Sequence, residues 1–215
     1  MIFEKAARLL FSALAMIVVA SVPRSHAAPD ADSPPGESPP PVHQIDLCVG
    51  GLAPFDSELR DAYGVATALT LGYAPRLGAG DTRLILDVGY IHSSGAEFTN
   101  DATFEIPKAE YTLYPINIGV RTNFVPSVGG PVALYLGVAL QWTPTRWEAP
   151  FVGSESTPVL GALVELRPEL TLSDRWGVWV RNRISLVSDS DFGNRIADLN
   201  SSGSLLEIGA SFRPR

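Results

Sequence analysis

The chain has 215 residues, 46% of them hydrophobic and 18% charged, which supplies enough apolar material for a buried core and excludes a disordered composition. A formal net charge of −7 argues against a nucleic-acid partner. The lone cysteine, Cys48, excludes an intrachain disulfide framework, and positive charge rests almost wholly on arginine, since Lys5 and Lys108 are the only lysines.

Residues 1–27 read as a secretory signal peptide. Lys5 and Arg8 precede the uncharged apolar run 9–22, and Ser25-His26-Ala27 is a small-x-small cleavage site. Cleavage there leaves a net charge of −9. Residues 28–43, APDADSPPGESPPPVH, are an expected disordered, Pro-rich leader. The remainder, 44–215, is one strand-rich domain. No later stretch is long and apolar enough for a transmembrane helix, so membrane insertion would have to be by strands.

Eight strands are predicted in chain order, at about 44–54, 65–75, 83–92, 110–124, 131–142, 158–171, 175–187 and 204–213. The connections between the second and third, fourth and fifth, and sixth and seventh are short. Those at 55–64, 93–109, 143–157 and 188–203 are long. Alternating long and short connections are the signature of an up-and-down meander with its loops sorted to two ends, which a Greek-key sandwich has no reason to show.

Residue parity divides each strand into two faces. In the fifth strand Val132, Leu134, Leu136, Val138, Leu140 and Trp142 oppose Ala133, Tyr135, Gly137, Ala139 and Gln141. In the eighth, Leu206, Ile208, Ala210 and Phe212 oppose Glu207, Gly209, Ser211 and Arg213. One face is apolar and uncharged; the other mixes charge with Gly and Ala. Parity alone fits either a soluble lipocalin-like binder with the apolar face inside or a transmembrane barrel with it outside. The small residues beside the charges suit a crowded lumen. The aromatic residues of the apolar face also fall into two girdles: Tyr73, Phe124, Trp176 and Phe212 at the short-turn end, and Tyr90, Tyr114 and Trp142 at the loop end. The membrane reading is therefore preferred. The seventh strand then sends Trp179, Arg181, Arg183 and Ser185 into the lumen, with Glu165, Glu169 and Glu207 as expected partners of the two arginines. Asn182 is left facing lipid, through a bulge, a polar neighbour or a different register.

With these features in place, the chain from about 44 to 213 resembles the small eight-stranded outer-membrane barrels of the OmpA, OmpX and OmpW kind. The strands YTLYPINIGVRTNF (111–124) and PVALYLGVAL (131–140) carry the likeness. Glu207-Ile-Gly209-Ala-Ser-Phe212 matches that family's C-terminal assembly signal, although Pro214-Arg215 replaces its terminal aromatic. The resemblance implies an all-β, eight-stranded antiparallel up-and-down transmembrane β-barrel in the bacterial outer membrane, with both termini in the periplasm.

The charged residues of the expected lumen set, Asp46, Asp87, Arg121, Glu165, Arg167, Glu169, Arg181, Arg183 and Glu207, all take the inward parity. An eight-stranded barrel is only wide enough for its own side chains, so these are expected to pair into a filling network, the alternative being a narrow porin-like channel. His92 and Ser94 share an outward parity at the loop end and resemble the His-x-Ser of the lipid A deacylase PagL. That resemblance implies a serine nucleophile with a histidine base, for which Glu97 and Glu105 are the candidate acids. A non-enzyme is the preferred reading. The acidic loops (Asp56, Glu58, Asp61; Glu97, Asp101, Glu105; Asp189, Asp191, Asp198) could share divalent cations with lipopolysaccharide, but Asp189-Ser-Asp191-Phe-Gly193 lacks the other ligands of a calcium loop. Cys48 is read as a small buried residue. No cofactor or protein-held metal is called for. The expected role is structural or interactive (envelope integrity, adhesion, or contact with outer-membrane lipids and lipopolysaccharide), carried out by a monomer whose four long loops could meet a surface partner.

Overall fold

The computed structural model describes residues 42–55, 57–78, 81–95, 110–124, 131–149, 153–187 and 202–214. The expected signal peptide and nearly all of the leader lie outside these residues. The elements in order are β1 (Ile45–Pro54), α1 (Ser57–Tyr63), β2 (Ala66–Tyr73), β3 (Thr82–Ser94), β4 (Glu110–Leu113), β5 (Ile116–Asn123), β6 (Val132–Ala149), β7 (Gly153–Thr171), β8 (Trp176–Val187) and β9 (Gly203–Phe212).

Apart from β4 and β5, which both pair with β3 and β6 and not with each other, each strand pairs antiparallel with the next, and β9 returns to pair with β1, so the sheet closes on itself. The closed barrel has eight staves because β4 and β5 are one predicted strand interrupted at Tyr114-Pro115. The register does not slip there: Ile91 faces Leu113 and Val88 faces Ile116. Pro115 has no N–H to give to the ladder, but its carbonyl still accepts from Gly89 N at 2.8 Å. The residue opposite is glycine for a reason of space, since a Cβ on Gly89 would lie 2.8 Å from the proline ring.

Two of the expected long connections differ from the prediction. Most of 143–157 is ladder, because β6 and β7 stay paired out to Ala149 and Gly153. Pro144, inside the expected connection, faces Pro158, at the start of the expected sixth strand, so two residues without an N–H share one cross-strand position. The connection 55–64 holds α1.

The apolar face points out. Leu47, Leu71, Val88, Ile118 and Ile208 are 52–61% exposed, whereas Glu165, Arg167 and Arg181 are fully buried. The lipocalin-like arrangement, which needs the apolar face inside, is thereby overturned. The lumen itself has two storeys. Towards the loop end it is apolar, with Leu52, Ala66, Ala68, Ile91, Tyr111, Leu113 and Leu205 in one cluster. The rest is ionic.

Candidate functional site

The ionic storey forms because strand periodicity aims every second residue of the staves inward, and several of those residues carry charge. Nearest the short-turn end, Asp46 receives two nitrogens of Arg167, at 2.6 and 3.0 Å, and Arg121 Nη2 at 2.9 Å. Glu169 accepts from Arg167 at 2.7 Å, from Ser211 at 3.1 Å, and from Arg213. Gln44 donates to Asp46 at 2.9 Å.

One level up, Arg181 Nε donates to Glu207 at 2.7 Å and its Nη1 to Asp87 at 3.0 Å. Arg183 pairs with Asp87 and lies 3.4 Å from Glu165. Thr70 Oγ1 donates to Glu207 at 2.6 Å. Arg121 reaches from the lower level to Glu165 at 3.9 Å, and Trp179 connects the levels with its ring 4.0 Å from the Arg167 guanidinium carbon and 4.9 Å from that of Arg181. A guanidinium over an indole face gains from the ring quadrupole, more so when both are out of water.

All nine sequence-predicted lumen residues are buried and drawn together. Two features differ from expectation. Glu169 is not a partner of Arg181 or Arg183. In the β7–β8 register it stands opposite Trp179, and it turns to Arg167 and Arg213 instead. Its place beside Arg181 and Arg183 is taken by Asp87 of β3, across the barrel. Arg213 is the second difference. It shares the inward parity of Glu207 but is outside the expected set, and the structure joins it to Glu169. Including it balances five guanidinium groups against five carboxylates.

Inward glycines make room for this. A Cβ on Gly137 would sit 2.6 Å from Glu165 Cγ, and one on Gly209 would sit 2.6 Å from the Trp179 ring. Little free space remains. The cavity between the storeys, lined by Asn117, Gln141, Thr143, Leu163, Arg183 and Ser185 among others, holds about 20 Å³, room for roughly one water. Above it α1 lies over the apolar storey. Tyr63 stacks edge-on against Tyr111 at 5.4 Å between ring centroids, and Ser93 Oγ donates to the Tyr63 carbonyl at 2.7 Å.

On the outer wall the expected girdle residues all face away from the lumen. Tyr73, Ile45, Phe212 and Trp176 are successive cross-strand neighbours, which makes a continuous belt at the short-turn end. Trp176 and Phe212 rings are 4.9 Å apart, and Phe124 is 49% exposed. At the loop end Tyr90 and Tyr114 are 5.8 Å apart, and Trp142 is 45% exposed. A wall of aliphatic side chains between two aromatic belts, around a charged and filled interior, is the arrangement that a bilayer selects.

The fold is that of the small outer-membrane β-barrels. Neisserial surface protein A superposes with a TM-score of 0.56 at 16% identity, covering 80% of this chain and 96% of that one. The outer membrane protein OprG from Pseudomonas aeruginosa gives 0.52 at 12% identity, covering 80% and 96%. At these identities the likeness is one of fold. No protein-family model matches the sequence, and no curated protein matches it.

Asn182 faces the wall of this barrel with no bulge. The β8–β9 register is unbroken around its pairing with Leu206, and Ser204 Oγ donates to Asn182 Oδ1 at 3.4 Å. A polar neighbour is thus the explanation among the three. His92 bonds Thr112 Oγ1 at 3.2 Å and stacks on Tyr90, while Ser94 is exposed two residues further along the same face. Their candidate acids Glu97 and Glu105, and the acidic positions Asp56, Asp101, Asp189, Asp191 and Asp198, lie outside the described residues.

Proposed function

We propose that this protein is a bacterial outer-membrane barrel whose wall and loops act and whose lumen serves as a structural plug. The observation that carries the reading is the pairing of Arg181 with Glu207 and Asp87 at 2.7 and 3.0 Å inside an aliphatic outer wall. A buried guanidinium so paired specifies register and closure, and leaves no hydrated path for solute. β1 begins and β9 ends at the short-turn end, which in this reading faces the periplasm. The longer connections then emerge outside, where they contact lipopolysaccharide or a surface partner and serve adhesion or envelope integrity. The acidic balance of the chain, −7, suits divalent cations shared with lipid phosphates.

Two measurements test this together. The protein is expected in the outer-membrane fraction, and the purified barrel is expected to give no conductance steps in planar bilayers. Recovery from the aqueous periplasm overturns the membrane assignment. Steps from the wild-type chain overturn the plug and favour the narrow channel.

A further inference from the structure

Asn182 is exposed on the outer wall of β8, where its outward companions Trp176, Val178, Val180, Ile184 and Leu186 are apolar. It is about six residues beyond the short-turn girdle. At ~3.3 Å per residue and a tilt of ~40°, that is about 15 Å into an apolar band of ~25 Å. The unbroken register forbids it from turning inward without sending Arg181 and Arg183 into lipid. Its single side-chain hydrogen bond among the described residues is the one from Ser204. A carboxamide has two donors and two acceptor lone pairs, so most of its capacity is spare, and hydrocarbon supplies no partner.

The wall next to it is also irregular. Pro168 interrupts the β7–β8 ladder between the Leu166–Asn182 and Glu169–Trp179 pairs. The interruption leaves a notch of about 250 Å³, lined by Val132, Pro168, Leu170, Val178, Val180 and Ile208 together with the inward-facing Glu169 and Trp179. Ile208, on the rim, is 61% exposed.

We propose that the β7–β8–β9 wall is a self-association surface and that its occupant is a second copy of this chain, with Asn182 against Asn182. Two barrels inserted the same way are related by a two-fold axis along the membrane normal, so like meets like at equal depth. A carboxamide is its own complement in donors and acceptors. At notch depth the protruding Ile208 of each copy faces the other's notch. Intramembrane polar side chains commonly mark such contacts. The proposal rests on the outer-membrane reading, which fractionation tests separately, and it replaces the monomer expected from sequence.

The test uses the full chain in outer membranes, with Cys48→Ala removing the native thiol and single cysteines placed at Ile208, Leu69 or Ile118. A bifunctional thiol cross-linker spanning about two strand spacings, ~10 Å, is expected to give a dimer of this chain from Ile208→Cys, about tenfold above Leu69→Cys and Ile118→Cys on the far wall. Adding Asn182→Leu to Ile208→Cys lowers that dimer about tenfold, and adding Asn182→Gln preserves it. Asn182→Val is the second apolar replacement, and heat-modifiable migration confirms that each variant has folded. The proposal fails if all three cysteines cross-link alike, if Ile208→Cys gives no dimer, if the adduct is with another protein, or if the dimer survives Asn182→Leu and Asn182→Val.

Discussion

Asp46 on β1 holds both terminal nitrogens of Arg167 on β7, at 2.6 and 3.0 Å, across the lumen and past the two intervening strands. Both side chains are essentially buried. The pair is a fork-to-fork contact, in which geometry adds to charge. Removing Asp46 leaves Arg167 with Glu169 as its carboxylate partner and Arg121 with only the longer contact to Glu165, both guanidinium groups still buried. Asp46→Ala is therefore expected to destabilise the folded barrel by about 3–5 kcal/mol, read as a lower urea midpoint. Arg146 and Glu148 form an ion pair at the exposed loop end, and Arg146→Ala is expected to move the same midpoint by only ~0.5 kcal/mol. Equal effects of the two substitutions would remove the distinction drawn between lumen and rim.

Cys48 reports on closure directly. It is 2% exposed, and its sulfur lies 3.3 Å from Glu207 and 3.4 Å from Arg181. A maleimide is expected to leave it unmodified in the folded protein and to label it fully after denaturation. Labelling of the folded barrel at the rate of a free thiol would mean that the lumen admits solutes.

The ion pairs predict what opening the plug would do. Replacing Arg181 and Arg183 together by alanine removes two large side chains and leaves Asp87, Glu165 and Glu207 facing the vacated space. The double variant is expected to conduct and to prefer cations, because the remaining groups are anionic. Reversal potentials across a salt gradient check the sign. Anion preference would show that the network had been assigned wrongly.

The parts of this arrangement that were legible in the sequence are those fixed by the period of two. Once Leu134 and Leu136 share a face, Tyr135 and Gly137 share the other, and the same count sends Arg181 and Arg183 inward. Parity carries no depth, however, and says nothing of what stands across the lumen. It therefore could not distinguish Asp87 from Glu169 as the partner of Arg183, a matter of strand tilt and of where the Trp179 ring lies. The apolar storey was missed for a related reason. Leu52, Ile91 and Leu205 have inward parity but ordinary hydrophobicity, and only three-dimensional closure assembles them below α1. The connection expected at 143–157 is mostly ladder instead, since β6 and β7 stay paired through it with Pro144 opposite Pro158.

Tyr63 joins α1 to the barrel through Tyr111 and Ser93. Tyr63→Ala is expected to cost about 1–2 kcal/mol, the lost burial of part of an aromatic ring. It is also expected to raise protease cleavage between 55 and 64 while leaving the strands intact. Unchanged cleavage would show that α1 is held by other contacts.

For the outward pair at the loop end, hydrogen bonding decides the expectation. His92 Nδ1 is engaged with Thr112, which leaves Ser94 without a base positioned at that nitrogen. Ser94→Ala is expected to leave the acylation of lipid A unchanged in cells that express the protein. A loss of deacylation in that variant would restore the hydrolase reading.

The span of the lumenal bonds has a consequence for how the molecule comes into being. Asp46 and Arg167 are 121 residues apart, Cys48 and Arg181 133, and Thr70 and Glu207 137. Contacts of such separation form late and slowly. The β8–β9 hairpin can pair Arg181 with Glu207 by itself, but Asp46 and Asp87 meet their guanidinium partners only across the barrel, so these two must remain hydrated until the sheet closes. Drying of the interior and joining of the first and last strands are then a single event, and an unclosed sheet has no reason to stay in the bilayer.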